Sequence, residues 1–403
     1  MEILRRIKNK VILSNYSTDF AYFALSYFLC SLISLINIHI INKSLVPSEL
    51  GRFSYLKSLF ELLAPTLSIC FYNSYLRFNI KGLNYLLFKK VIRVLIISFV
   101  ILFVIYLILS KNLLAALFSI VVFYNERSYF FRSLLKMRIF NRLRIATVSI
   151  TLIITCLIVN TESEISSNSI LFAYALGYAI CLLFYNNNAE NINSTEIKYS
   201  VLFKYCIPSG MLIIVSWLLS YSSLLIIKEK FGYVDLAPYA VAQNGLASIK
   251  LFSGLFLMYY PSIYYREIEN KNYSFINKSR LLLVFILFII SIALILCTPI
   301  IYILLGAQNY LEYSKYFKLL IIGEFFNVIS QFYAIYLSYK LKTITSFVIA
   351  LLGTILNILL LLLFTERFGI IACCYSSIIS FLVILIIHLI YTYRMEQNSK
   401  SSV

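Results

Sequence analysis

Two lysines interrupt sequence that is otherwise apolar, and their chemistry is that of anion binding. Lys57 and Lys250 both lie inside long hydrophobic runs. A charge at mid-membrane costs about 2.5–3.5 kcal/mol on insertion scales, so such residues face a bundle interior or a wet cavity. Lys57 belongs to a stripe of Ser54, Lys57, Glu61, Ala64, Ser68, Tyr72, Tyr75 and Asn79. Spacings of three and four put that stripe on one helix face. Glu61 stands one turn beyond Lys57, close enough to pair with it. Lys250 follows Gln243 and Ala247 and precedes Gly254 on a second such face, with no acid near it along its own helix. Ammonium groups so placed suit phosphate or pyrophosphate, which they hold by charge-assisted hydrogen bonds. Arg52 and Gln243 complete the candidate substrate-binding set, although snorkelling also accounts for an arginine near a membrane end. Glu61 and Glu324 are candidate ion-coupling sites, with a structural counter-ion role as the alternative.

Weaker polar stripes run through other helices: Ser26, Cys30, Ser34 and Asn37; Ser216, Ser220 and Ser223; Glu324, Asn327, Gln331 and Ser338. For their hydroxyls and amides, helix–helix contact is the simpler explanation. The eight cysteines form no C-x-x-C pair, and His39 and His388 are far apart in sequence. Neither a metal centre nor a disulfide framework is expected, and no cofactor is implied.

The elements that must position these residues are membrane helices. Apolar residues make up 61% of the chain and charged residues 13%, against about a quarter charged in soluble domains. Runs near 18–42, 53–77, 90–110, 113–131, 145–160, 169–186, 205–227, 237–262, 281–305, 316–339, 343–365 and 369–392 predict about twelve spans of roughly 20 residues each. The first run is too long for a cleavable signal peptide and reads as a retained helix. The net charge of +18 sits in short loops, as membrane orientation requires, so nucleic acid is excluded as a partner. About 25 Lys and Arg fall on one side and about seven on the other, which places both termini in the cytoplasm. No loop is long enough for a catalytic domain, so any chemistry belongs among the helices.

The chain also repeats itself. Leu50, Gly51, Arg52, Phe53 and Ser54 precede the second span as Leu236, Ala237, Pro238, Tyr239 and Ala240 precede the eighth. Both read Leu, small, variable, aromatic, small. The offset predicts an all-α membrane protein of two pseudo-symmetric six-helix lobes, 1–195 and 196–403, around a central cavity. Six helices per lobe make this a parallel repeat about an axis along the membrane normal. A lipid-tailed anion suits such a cavity, because its tail can remain in the bilayer while its head crosses.

Three segments carry a resemblance to a known family. The stretch from Asn42 to Phe53 contains Leu45, Glu49, Gly51 and Phe53 in a Leu-x-x-x-Glu-aromatic-Gly-x-aromatic pattern, with Leu50 replacing the first aromatic. The second runs from Lys204 and Pro208 through Trp217 and Gly232 to Tyr239, Ala240, Val241 and Ala242. The third is Leu356 and Asn357 followed by Phe368, Gly369, Ile370, Ile371 and Ala372, where Ala372 and Cys373 depart from the usual Gly-Ala. Together they resemble the Wzx-type O-antigen repeat-unit flippases of the MATE-like (MOP) superfamily. The resemblance implies a flippase of the bacterial inner membrane, not an enzyme. Its cargo would be undecaprenyl-pyrophosphate-linked oligosaccharide, moved from the cytoplasmic to the periplasmic leaflet by alternating access. It further implies coupling to H+ or Na+ and work beside the polysaccharide polymerase machinery. The competing expectations are an O-antigen polymerase or ligase, which usually carries one large periplasmic loop, a lipid II flippase, and a cation or drug antiporter.

Overall fold

The computed structural model describes residues 2–67, 120–121, 124–125, 128, 137–184, 199–270, 272–340 and 342–401. The expected third and fourth spans, Ser68 to Asn79 of the Lys57 stripe and the lobe junction at 195 and 196 lie wholly or mostly outside them. The described residues are helical, joined by short turns: α1 (Glu2–Ser44), α2 (Pro47–Leu67), α3 (Met137–Thr161), α4 (Ser167–Phe184), α5 (Tyr199–Gly245), α6 (Ala247–Glu269), α7 (Tyr273–Leu296), α8 (Thr298–Leu304), a 3-10 helix (Gln308–Tyr313), α9 (Ser314–Tyr339), α10 (Thr343–Phe368) and α11 (Ile371–Ser401). Among these residues, seven helices are long and apolar enough to cross a membrane.

α7 illustrates why. Its buried residues, Ile276, Arg280, Leu283, Leu287 and Ser291, recur every three or four positions and form one stripe against the bundle. Leu281, Leu282, Phe285, Phe288, Ile289 and Leu296 cover the rest of its surface and are exposed. A helix apolar all round, with one buried stripe, belongs in lipid. Its 24 residues rise about 36 Å, enough to span a hydrocarbon core of about 30 Å.

Reversals between helices use single residues. Gly232 (φ 85°, ψ −174°) turns the chain inside α5, and Gly369 (φ 64°, ψ −154°) separates α10 from α11. That region of backbone space is open essentially to glycine alone. Pro47 begins α2, where its missing N–H would be unpaired in any case. The turns at Ser44 to Val46, Gly232 and Gly369 lie at one end of the bundle, here termed the corner end.

Several expected boundaries move. The fifth expected span starts at Met137, eight residues before 145, because the basic segment continues the helix. The eighth, expected as 237–262, is broken at Leu246, whose N–H bonds Gln243 O at 3.1 Å in a tighter turn. At that break Gly245 lies so close to Phe317 that a Cβ would stand 2.8 Å from its ring. The ninth, expected as 281–305, begins at Tyr273, where the Asn272 side chain accepts from Phe275 N–H. It stops at Cys297, since Pro299 cannot donate to the preceding turn.

α1, α3 and α4 pack together, as do α9, α10 and α11, and α2 lies along α5 across the boundary between the halves of the sequence. The repeated pentads meet the core here. Leu50, Phe53, Leu236, Ala237 and Tyr239 all belong to one buried cluster. A Cβ on Gly51 would stand 2.9 Å from the Tyr233 carbonyl carbon, and closer still to its oxygen. The two halves are therefore closed on each other at the corner end, backbone against backbone. Asn357, fully buried, fastens α10 to α5 by donating to Leu219 O at 3.2 Å and Ser222 Oγ at 3.0 Å.

Candidate functional site

Lys57 projects from α2 into a polar junction built by four helices. Its Nζ lies 3.9 Å from Glu61 Oε1, so the expected pairing along α2 is present. It also sits 5.7 Å from the centre of the Tyr174 ring on α4, within cation–π range. Asn37 of α1 donates to the Tyr174 hydroxyl at 3.1 Å. The other oxygen of Glu61 accepts the Tyr221 hydroxyl of α5 at 2.6 Å. One turn earlier, Trp217 donates its indole N–H to Ser58 O at 2.7 Å. One stretch of α2 is thus tied to α5 by an indole and a phenol, with the carboxylate shared between Lys57 and Tyr221. The Lys57 and Glu61 side chains remain 30% and 44% exposed.

Glu324 comes to the same region from α9, since Tyr221 is within electrostatic reach of both Glu61 and Glu324. Its Oε2 accepts from Asn327 Nδ2 at 3.2 Å, and Gln331 donates to Asn327 Oδ1 at 3.2 Å. The polar stripe of α9 is therefore a hydrogen-bonded ladder that ends on a buried carboxylate.

Lys250 lies elsewhere. It lines a hollow of about 320 Å³ between α1, α3, α6 and α8 that Lys57 does not line. Arg144 of α3 lines it too, its guanidinium 5.4 Å from the centre of the Tyr27 ring and 5.7 Å from that of Phe140. The Tyr27 hydroxyl approaches Lys250 O at 3.4 Å, and it fits only because residue 254 is glycine, where a Cβ would meet that hydroxyl. Leu32, Leu35, Ile38, Leu251 and Leu304 make the remaining wall apolar. Among the described residues, no ion pair reaches Lys250 or Arg144. Two cations over a greasy wall can hold a charged head and an apolar tail together. Tyr178 lies within electrostatic reach of both Glu61 and Arg144 and stacks edge-on with Tyr124 at 4.8 Å.

The other candidates are more firmly engaged. Gln243 donates to Ser220 O at 3.0 Å, closing the kinked α5 on itself. Arg52 stands 3.7 Å from Glu49 at the start of α2. Ser26, Ser31, Ser216 and Ser220 each bond a carbonyl one turn back on their own helix, which leaves the hydroxyl proton spent locally.

Arg144, Tyr174 and Tyr221 were not singled out by sequence. Arg144 sits just ahead of the expected helix at 145 and reads there as a loop charge, whereas α3 carries it two turns inside. Tyr174 and Tyr178 are one turn apart among Ala173, Ala175 and Gly177, and that small-and-aromatic face was the available signal.

No family model and no curated protein matches the chain. Solved structures do. An inward-facing multidrug resistance MATE family transporter of the MOP superfamily aligns with a TM-score of 0.69 at 12% identity, covering 93% of this chain and 96% of that one. An outward-facing MATE family transporter of the same superfamily gives 0.61 at 11% identity, over 96% and 97%. The lipid II flippase MurJ, in an inward closed conformation, gives 0.61 at 16% identity, over 93% and 87%. At these identities the likeness is one of fold. The chain shares its overall all-helical fold with these solved transporters.

Proposed function

We infer that this chain is a flippase for undecaprenyl-pyrophosphate-linked oligosaccharide repeat units, of O-antigen or similar type. It carries them from the cytoplasmic to the periplasmic leaflet of the bacterial inner membrane. The observation that supports this most is the pairing of Lys250 and Arg144 in one hollow with an apolar wall. A pyrophosphate bridging them would leave its polyprenyl tail against Leu32, Leu35 and Leu251 and so toward lipid. The asymmetry of loop charges turns the corner end to the periplasm and both termini to the cytoplasm. With the corner end closed, the conformation then corresponds to an inward-facing state, from which cytoplasmic cargo is loaded.

The Lys57 junction supplies a means of coupling. Glu61 is shared by Lys57 and Tyr221. Binding of H+ or Na+ at Glu61 weakens its hold on Lys57 and frees that ammonium for the cargo anion. Glu324 is the second candidate for this role. Arg52 and Gln243 are assigned supporting parts, at the start of α2 and at the kink of α5.

A second reading, export of a lipophilic cation, draws on the same two carboxylates, which both lie within reach of Tyr221. Deletion followed by leaflet-resolved lipid analysis separates the readings. The flippase reading expects lipid-linked repeat units to accumulate on the cytoplasmic leaflet, with rescue by wild type but not by the Arg144→Gln, Lys250→Gln double variant. Exported single units left unpolymerised would indicate a polymerase. An unchanged lipid distribution with altered cation efflux would favour the antiporter.

A further inference from the structure

Glu61 and Tyr221 come from opposite halves of the sequence, so the bond between them exists only while α2 lies along α5. Glu61 has a permanent neighbour in Lys57, one turn away on its own helix at 3.9 Å. Lys57 in turn is fixed within the first half, 5.7 Å from the centre of the Tyr174 ring, whose hydroxyl accepts from Asn37 of α1. Parting of α2 from α5 would leave these contacts whole. It would break the 2.6 Å bond from the Tyr221 hydroxyl to Glu61 Oε2 and the 2.7 Å bond from the Trp217 indole to Ser58 O.

These two ties differ in kind. The indole donates to a backbone carbonyl, whose charge never changes, so that tie has a fixed strength. The phenol donates to a carboxylate, and a bond to an ionised acceptor is roughly twice as strong as one between neutral groups. Its strength therefore follows the charge on Glu61. α5 is braced at this point. Trp217 and Tyr221 pack ring against ring with centres 5.7 Å apart, and Gln243, from beyond the Gly232 reversal, donates to the Ser220 carbonyl at 3.0 Å. A displacement of Tyr221 thus carries with it the limb of α5 that closes the corner end.

We propose that Tyr221 is a positioning residue that couples the charge of Glu61 to the seam: the ionised carboxylate latches the corner end shut, and a cation at Glu61 releases it. A cation that Glu61 holds better once the phenol has left shifts the protein toward the open seam. The consequence is a rule for exchange. A carrier that swaps cargo for a cation loses its coupling if it reorients empty, and the empty protein, with Glu61 ionised, is the latched one. The proposal rests on the coupling role given to Glu61 above, not on the identity of the cargo. Among the described residues, the titratable and charged groups around this pair are Lys57 on α2, Tyr174 and Tyr178 on α4, and Glu324 on α9.

The test uses the full-length protein in lipid nanodiscs without cargo, with a cysteine placed at Ala237 in an otherwise cysteine-free background. Ala237 is fully buried in the seam, and labelling by a membrane-impermeant thiol reagent reports its opening. Rates are compared with those of the Glu61→Gln, Tyr221→Phe double variant under the same conditions, which removes the effect of pH on the thiol itself. At neutral pH the parent protein should label about tenfold more slowly than the double variant. Each single variant should label as fast as the double, because both changes break one bond. Acidification toward the carboxylate range, or Na+ in place of choline at neutral pH, should bring the parent up to the double variant, and whichever acts identifies the cation. Trp217→Phe should keep that response, since its tie to Ser58 carries no charge. Equal rates in the parent and both single variants overturn the proposal. So do a response to neither cation, a response that persists in Tyr221→Phe, and single-variant effects that multiply in the double. The assay needs no cargo, so the latch can fail while lipid analysis still supports the flippase, and it can stand if the cargo proves different.

Discussion

Replacing Gly51 by alanine should open the corner end. In the closed arrangement the new methyl carbon would lie 2.9 Å from the Tyr233 carbonyl carbon and 3.3 Å from its Cα, where ordinary contact begins at 3.4 Å. The Tyr233 oxygen is closer still, so relief requires a displacement of about an ångström or more, and the obstructing atoms are backbone. No rotamer change can absorb it. Overpacking of this kind typically costs about 1–3 kcal/mol. The cost falls on the closed seam and vanishes once α2 parts from α5, so the balance between the two states should shift by about 5- to 150-fold. The readout is a cysteine at Ala237, which is fully buried in the seam, in an otherwise cysteine-free background. A membrane-impermeant thiol reagent should label it faster by that factor in Gly51→Ala than with glycine present. Gly51→Ala protein that elutes and melts as the wild type, yet keeps this cysteine equally protected, would refute the seam.

Two further expectations concern stability. Arg280 and Glu396 pair at 2.7 Å with side chains only 6% and 11% exposed, and Tyr264 bonds both. Arg280→Met alone should cost about 3–5 kcal/mol because it removes the guanidinium that faces a buried carboxylate, whereas Arg280→Met with Glu396→Leu should recover most of it in thermal melts. At the start of α2, ahead of the expected membrane span, burial works to raise the Glu49 carboxyl. The Ser167 N–H, at 2.7 Å, and the Arg52 guanidinium outweigh it and hold the group below the usual carboxylate range. A carboxyl lowered on folding adds stability above its unfolded value, near pH 4.3, and loses it as pH falls through the folded value. Glu49→Gln should therefore melt below wild type at pH 7, with the gap closing below about pH 4.

Much of the fold is legible because lipid imposes it. Length and hydrophobicity place α9 and α10 within a few residues, since nothing but a helix satisfies the backbone in a bilayer. What is not legible has local causes. The break at Gly245 depends on Phe317, which lies some seventy residues away in sequence, and hydrophobicity does not record such contacts. α3 and α7 begin inside basic, polar segments, where periodicity is masked by charge. Of the site, Lys57 with Glu61 follows directly from helical spacing because the pair is local. The partners of that pair, Tyr174 and Tyr221, and the meeting of Lys250 with Arg144 are long-range facts. A tyrosine or an arginine in an apolar chain is too common to mark them. The pentad repeat is more informative than five residues suggest, because both copies are buried in one seam.

The contact at Gly51 has a bearing on how this chain can diverge. It is made to the carbonyl group and Cα of residue 233, atoms every amino acid possesses. Drift at 233 therefore leaves this backbone contact in place, although it would lose the edge-on packing of the Tyr233 ring on Tyr55 at 6.0 Å, while drift at 51 breaks the contact itself. Among relatives, the contact should be recorded as one invariant glycine, with no covarying residue at 233 to betray that the two touch.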